Sequence, residues 1–255
     1  MWNPEIYLRF ADERGRPFHD LVGRVKAETP RVVEDLGCGP GNLTETLAVR
    51  WPDAQIRGVD SSPEMIAAAQ TPSALATYAV GDVRAHVPGA EVDVIVTNAM
   101  LQWVEGADEI LASWVKPGRW IAAQMPANHD APAHVLLREL CGTAKWSAKL
   151  GFMADKRSVG DAVHYARLLR TAGCDHVDTW ETLYVHQLPV TGAHHPVLTW
   201  LSGTALRPVR AALSDDDFLA YCAELQPRLA EAYPAHDGVV DFPFLRVFAV
   251  GYRSS

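Results

Sequence analysis

The sequence predicts an α/β fold built on a doubly wound, mostly parallel sheet, and three observations predict it. Short β-rich runs alternate with helical stretches at the spacing of βαβ units over the first half to two-thirds of the chain. A glycine loop, Gly37-Cys38-Gly39-Pro40-Gly41, lies directly between the first such run and the helix after it. An aspartate, Asp60, closes the second run, at the edge of the sheet where open α/β folds bind their ligands.

The elements follow in order. Asn3-Pro4-Glu5 joins an N-cap to a proline at the first helical position, so a helix is expected there, breaking near Gly15-Arg16-Pro17. A second helix is expected through Val25. Val32 to Leu36 reads as the first strand, and the helix after the glycine loop continues to about Arg50. Gln55 to Asp60 is the second strand. Ser62-Pro63-Glu64 supplies cap, proline and first-turn acid for a helix through about Gln70. Leu75 to Val80 and Val92 to Asn98 read as strands, followed by a helix from Ala107 to about Val115 and a strand from Trp120 to Met125.

Beyond Pro126 the rhythm loosens. Ser158 is expected to cap a helix ending at Gly173. Val177 to Leu188 and Phe244 to Tyr252 are long strand candidates, and the residues between them, Pro189 to Val239, read as mostly helical, with a helix opening at Ser214-Asp215-Asp216-Asp217. The expected organisation is one domain, 1–255: a helical cap over 1–30, a cofactor-binding core over 31–126, and helical lid segments over the substrate pocket at 127–157 and 189–240.

With 255 residues, 48% hydrophobic and 21% charged, the composition excludes disordered and fibrous classes. No apolar run approaches the roughly 20 residues of a membrane span, and the N-terminus lacks a basic stretch followed by an apolar one. No membrane association and a cytoplasmic location are therefore expected. The cysteines Cys38, Cys141, Cys174 and Cys222 are far apart, which reads as isolated thiols and no metal. A net charge of −8 argues against a nucleic-acid partner, though it permits a local basic pocket.

The loop spacing selects the ligand. A dinucleotide fingerprint, G-x-G-x-x-G, would need glycine where Asn42 stands, and a P-loop would need Gly-Lys-Ser/Thr. The observed G-x-G-x-G, preceded by Asp35, suits a nucleoside ending in an amino acid rather than a pyrophosphate. S-adenosylmethionine is such a ligand. Asp60 is placed to accept from its ribose hydroxyls and Asp82, after the third strand, from the adenine amino group; Asp82 also reads as a solvated turn residue. Asn98-Ala99-Met100-Leu101-Gln102-Trp103 follows the fourth strand and lacks the Asn/Asp-Pro-Pro-Tyr pattern of nucleobase amine methylation. Trp103 is open between a ligand-facing and a core aromatic.

Val33 to Asn42, Gly58 to Met65 and Asn98 to Trp103 resemble class I, Rossmann-like S-adenosylmethionine-dependent methyltransferases. More of the chain resembles the bacterial trans-aconitate 2-methyltransferases: Trp2-Asn3-Pro4 with Tyr7, Phe10, Arg14 and Pro17; Gln124-Met125-Pro126; His134-Val135-Leu136; His186-Gln187; Leu206-Arg207-Pro208; and Phe242-Pro243 with Arg246. Asn128-His129-Asp130 and the stretch from Lys145 to Arg157 depart from that pattern. The resemblance implies a seven-stranded sheet with an antiparallel last strand, a helical insertion near the C-terminus, and methyl transfer to a carboxylate of trans-aconitate. The expected cofactor residues are Asp35, Gly37, Cys38, Gly39, Gly41, Asn42, Asp60, Ser61, Met65, Gly81, Asp82, Val83 and Asn98.

A carboxylate, with a pKa near 4, is already ionised at neutral pH, so no general base and no catalytic dyad are expected. What such a reaction needs is cationic anchors and donors that hold the acid in line with the methyl group. The candidates are Arg14, Arg207 and Arg246, assisted by Tyr7, Gln102, Trp103, Tyr184 and His186. Each arginine also reads as a surface charge, and His186, in an alternating strand, as a structural histidine. A nicotinamide-dependent oxidoreductase, a noncatalytic S-adenosylmethionine-binding protein and a methyltransferase for another small acid remain the alternatives.

Overall fold

The five consecutive buried residues of β1 (Val32–Leu36) have the profile of a strand covered on both faces, and β1 lies mid-sheet. The computed structural model describes residues 11–71, 74–154 and 159–254. The other strands are β2 (Gln55–Asp60), β3 (Thr77–Val80), β4 (Val94–Asn98), β5 (Trp120–Pro126), β6 (His176–Pro189) and β7 (Val239–Tyr252). They form a seven-stranded sheet in the order β3-β2-β1-β4-β5-β7-β6. Strands β1 to β5 pair in parallel, whereas β7 runs antiparallel to β5, from Trp120 opposite Tyr252 to Pro126 opposite Arg246. The strand order reverses between β1 and β4, the switch point beyond whose carboxyl ends open α/β sheets bind their ligands.

The helices are α1 (Ala11–Val22), α2 (Thr44–Arg50), α3 (Pro63–Ala69), α4 (Ala107–Ser113), α5 (Pro132–Cys141), α6 (Ser147–Leu150), α7 (Ala162–Thr171), α8 (Pro196–Ser202), α9 (Arg207–Ala212) and α10 (Asp215–Ala232). Ser62 caps α3 by accepting from the Met65 amide, and Ser214 caps α10 by accepting from Asp217, both as the sequence predicts.

Several boundaries differ, each for a local reason. No break occurs at Gly15-Arg16-Pro17, because α1 runs through Pro17. The hydrogen bond that proline cannot donate is outweighed by burial of Phe18, Leu21 and Val22 along one face. The expected start at Asn3-Pro4 lies outside the described residues. Strand β3 begins at Thr77 rather than Leu75, whose amide donates to Glu45 Oε2 at 2.7 Å instead of to a strand. Strand β4 begins at Val94 because the Val92 amide closes a turn onto the Gly89 carbonyl. The cap of α7 is Asp161, which accepts from His164 N at 2.7 Å; Ser158 lies outside the described residues. Strand β7 starts at Val239 rather than Phe244, with Val240, Phe242 and Phe244 turned inward.

The chain divides into two compact units. The sheet unit comprises Arg14–Pro126, Val159–Thr182 and Arg246–Ser255; the helical unit comprises Ala127–Ser158, Leu183–Leu245 and the described part of Met1–Glu13. The helical unit has its own apolar core, centred on Trp146, Trp200, Tyr221, Phe242 and Phe244. All four cysteines are free, and no helix among the described residues is long and apolar enough to cross a membrane.

Candidate active site

At the end of β1 the chain turns through three residues of positive φ: Gly37 (81°), Gly39 (55°) and Gly41 (79°). A side chain at Gly37 would run into Met100, and one at Gly41 into Tyr78 and Ala69. Gly39 alone of the three faces open space, so its glycine serves backbone conformation and access rather than packing. The loop stays pinned to β2, because the amides of Gly37 and Cys38 both donate to the Val59 carbonyl, at 2.7 and 3.1 Å.

The two acids flanking this loop have different tasks. Asp35 is buried and accepts from Thr44 Oγ1 at 2.6 Å, which ties the end of β1 to the first turn of α2. Burial pushes its carboxyl up to about 7, although the Thr44 hydrogen bond opposes that rise. Asp60 accepts from Gly39 N through Oδ2 and from Ser62 N through Oδ1, each at 2.9 Å. It thereby sets the loop and the start of α3 while keeping lone pairs for a ligand hydroxyl. Asn42 and Ser61 are exposed, Met65 is half-buried in the first turn of α3, and Cys38 is buried with its thiol pushed up by desolvation. Beyond β3, Gly81 N donates to the Asp60 carbonyl, and Val83 is half-buried. The Asp82 carboxylate is engaged by Arg84, which holds it down at about 2. That pairing is the turn role weighed from the sequence, and an adenine amino group would have to share it.

The ends of β4 and β5 carry a polar cluster. Ala99 has a left-handed φ of 55° and donates to the Gln124 carbonyl at 2.9 Å. Gln102 Nε2 donates to the Ala99 carbonyl at 2.6 Å, so this side chain presents its acceptor, Oε1. Gln124, fully buried, sits beside Asn98 in register, and its Oε1 accepts from Arg246 Nη1 at 3.2 Å. Asn98 Oδ1, Gln102 Oε1 and Gln124 Nε2 are buried with no hydrogen-bond partner among the described residues. Each such atom costs about 1–3 kcal/mol if left unpaired, and these three lie together at and just beyond the ends of β4 and β5, where a polar ligand could meet them. Trp103 is 53% exposed and so is not a core aromatic. Among the described residues no group of three or more His, Cys, Asp or Glu could hold a metal ion.

Residues 33–118 match the methyltransferase domain family. The chain is 50% identical to the trans-aconitate 2-methyltransferase of Mycolicibacterium gilvum, across 98% of both chains. To the enzymes of that name from Rhodococcus jostii and Mycobacterium tuberculosis it is 50% and 47% identical, covering 98% of this chain in each case and 98% and 96% of theirs. The chain belongs to the trans-aconitate 2-methyltransferase family. The fold is also that of solved structures. One is the Haemonchus contortus phosphoethanolamine N-methyltransferase 2 in complex with S-adenosyl-L-methionine, with a TM-score of 0.53 and 15% identity, spanning 94% of this chain and 53% of that one. Another is the YcgJ protein from Bacillus subtilis, with a TM-score of 0.57 and 10% identity over 94% and 99% of the two chains.

Within this methyltransferase the expected substrate residues fall into separate groups. Gln102, Trp103 and Arg246 lie in the sheet unit, where Gln102 and Arg246 are linked through Ala99 and Gln124. Tyr184, His186 and Arg207 lie in the helical unit. There Tyr184 and His186 are buried on the inner side of β6, and His186 stacks on Trp200 at 4.7 Å and packs against Phe244. That is the setting of a structural histidine. Arg207 is exposed at the start of α9, Arg14 lies on α1, and Tyr7 falls outside the described residues. Sequence reasoning assigned no role to Gln124 and missed Thr44 and Tyr78, whose hydroxyl donates to Glu45 Oε1 at 2.5 Å and lies 3.3 Å from the Gly41 carbonyl. The one available signal was Gly58, which stands opposite Tyr78 in the β2–β3 register and leaves room for the ring.

Proposed function

We propose that this chain transfers a methyl group from S-adenosylmethionine to a carboxylate of trans-aconitate, releasing the monomethyl ester and S-adenosylhomocysteine. The observation that carries the substrate is the 50% identity over 98% of both chains to relatives named for that reaction. The geometry supports the cofactor. Gly39 faces open space at a strand switch point, the Asp60 carboxylate is fixed beside it, and Asn98 Oδ1 is a buried acceptor without a partner. The residues proposed to hold the cofactor are the glycine loop with Asp35, Cys38 and Asn42, then Asp60, Ser61 and Met65, then Gly81, Asp82 and Val83, and Asn98. When bound, S-adenosylmethionine supplies an electrophilic methyl group.

The chain's own residues do the rest by holding and orienting. The acid arrives ionised, so no side chain has to take a proton. Arg246, 3% exposed in a chain of net charge −8, is proposed as the principal anchor, because a buried guanidinium bonds a carboxylate strongly at low dielectric. Gln102, Trp103, Tyr184, Arg207, Arg14 and Tyr7 complete the proposed substrate set, while His186 is left to its packing on Trp200 and Phe244; a cytoplasmic location is part of the same reading. The test is a panel of polycarboxylic acids assayed for S-adenosylhomocysteine release, with the ester position fixed by mass spectrometry. Turnover highest with trans-aconitate supports the proposal. Turnover confined to another acid, or to none, overturns it.

A further inference from the structure

The fully buried side chain of Gln124 is the least explained polar group in the sheet unit. Its amide orientation is decided by its neighbour. Arginine has only donors, so the atom receiving Arg246 Nη1 at 3.2 Å is Oε1, and Nε2 is turned the other way with two N–H groups and no partner among the described residues. The position is equally fixed. The Gln124 carbonyl holds Ala99 in its left-handed turn, and the Gln124 Cα pairs with that of Asn98. A neutral donor is thus locked next to a buried cation at the carboxyl ends of β4 and β5.

We propose that Gln124 is a specificity-determining residue whose Nε2 donates to a carboxylate of the substrate that the neighbouring Arg246 guanidinium also attracts. This rests on the reading of the chain as a methyltransferase for small polycarboxylic acids. A lone guanidinium attracts any anion. A guanidinium with a fixed amide donor beside it prefers a group accepting at two places, which a carboxylate does and a hydroxyl or ester does not. Gln124 in this role selects for the number of carboxylates on the acid as well as adding affinity. The Arg246 hydrogen bond prevents the amide from flipping, so the preference is built in before substrate arrives.

The test compares trans-aconitate, a tricarboxylate, with itaconate, the dicarboxylate that lacks one of its carboxylates, in the native enzyme and in Gln124→Met and Gln124→Glu. Methionine removes the donor without adding charge; glutamate keeps the shape and turns its carboxylate toward Arg246. The native enzyme is expected to favour the tricarboxylate in kcat/KM. The Gln124→Met variant should lose about tenfold or more of that preference, mainly through KM, and Gln124→Glu should lose more, while S-adenosylhomocysteine affinity by calorimetry stays within about twofold. Calorimetric binding of trans-aconitate to the S-adenosylhomocysteine complex should weaken in the same order. An unchanged preference in variants that still bind S-adenosylhomocysteine overturns the proposal, because Nε2 then makes no contact that distinguishes the two acids. Loss of S-adenosylhomocysteine binding in both variants also overturns it, by making Gln124 a support for the cofactor or the core. If the native enzyme turns over neither acid, the wider functional reading is what has failed.

Discussion

The two units handle polar groups in contrasting ways. In the sheet unit, charged and amide side chains gather near strand ends: Asp35 and Asp60 around the glycine loop, and Asn98 of β4, Gln102 beyond it, Gln124 of β5 and Arg246 of β7. In the loops that leave β1 and β4, Gly37, Gly39, Gly41 and Ala99 hold positive φ. In the helical unit the interior is aromatic, with Trp200 wedged among His186, Phe242 and Phe244. The sheet unit therefore gathers amide side chains and left-handed turns where a ligand is expected, whereas the helical unit, which also buries Asn128 and holds Asp237 at positive φ, has a mainly aromatic interior. Substitutions should separate the two along that line.

The largest expected effect is at Gly39. Gly39→Val should abolish measurable S-adenosylhomocysteine binding with a native circular dichroism spectrum, since a branched residue resists φ 55° and fills the open space. Trp200→Ala should do the reverse, costing about 3–5 kcal/mol of stability from a fully packed core while cofactor affinity per folded molecule is retained. A Gly39→Val protein that binds normally would break the contrast.

Next come the arginines. Arg246→Met should lower kcat/KM for trans-aconitate by the equivalent of about 2–5 kcal/mol, the scale for losing one partner of a buried charge pair. Arg207→Met, at an exposed position, should cost less than about 1 kcal/mol. Steady-state kinetics on both variants decides the order, and equal losses would mean that the helical unit contributes an anchor of the same weight. Asp60→Ala comes after these, weakening S-adenosylmethionine by about 1–3 kcal/mol in calorimetry.

The smallest effects concern pH, and the units should differ in sign. Burial raises the Asp35 carboxyl to about 7, so the folded state holds a proton that the unfolded chain releases near 4; stability falls as pH rises through that window. Asp35→Asn should raise the melting temperature of the ligand-free protein by a few degrees at pH 8, with the gain fading by pH 5. His134, on α5 of the helical unit, is held down at about 4 by desolvation, so the unfolded chain takes up a proton first and stability falls as pH drops below the ordinary histidine range. His134→Gln should flatten that acid-side loss and change nothing at pH 8. Melting curves at the two pH values check both.

The same contrast governs what could be read from sequence. The glycine loop, Asp35, Asp60 and the limits of β1 and β2 are local: spacing and residue type specify them, and they stand where expected. Gln124 was named only within a segment of family resemblance and given no role, because that role depends on β5 pairing with β7, which brings it to Arg246 from far along the chain. Tyr78 and Thr44 were missed because their partners, the Gly41 carbonyl and the Asp35 carboxylate, belong to other elements. In the helical unit the aromatic packing of His186 is likewise set by tertiary contacts with Trp200 and Phe244. Alternation along β6 identified its inward side without distinguishing a ligand from a core residue.

The central claim is that these strand ends carry methyl from S-adenosylmethionine to a carboxylate of trans-aconitate. The most direct measurement incubates the purified protein with S-adenosylmethionine labelled in its methyl group and with trans-aconitate, and follows both products by mass spectrometry. The account predicts one labelled methyl ester on the acid for each S-adenosylhomocysteine formed. Label that stays on S-adenosylmethionine, or S-adenosylhomocysteine released without an esterified acid, would contradict it.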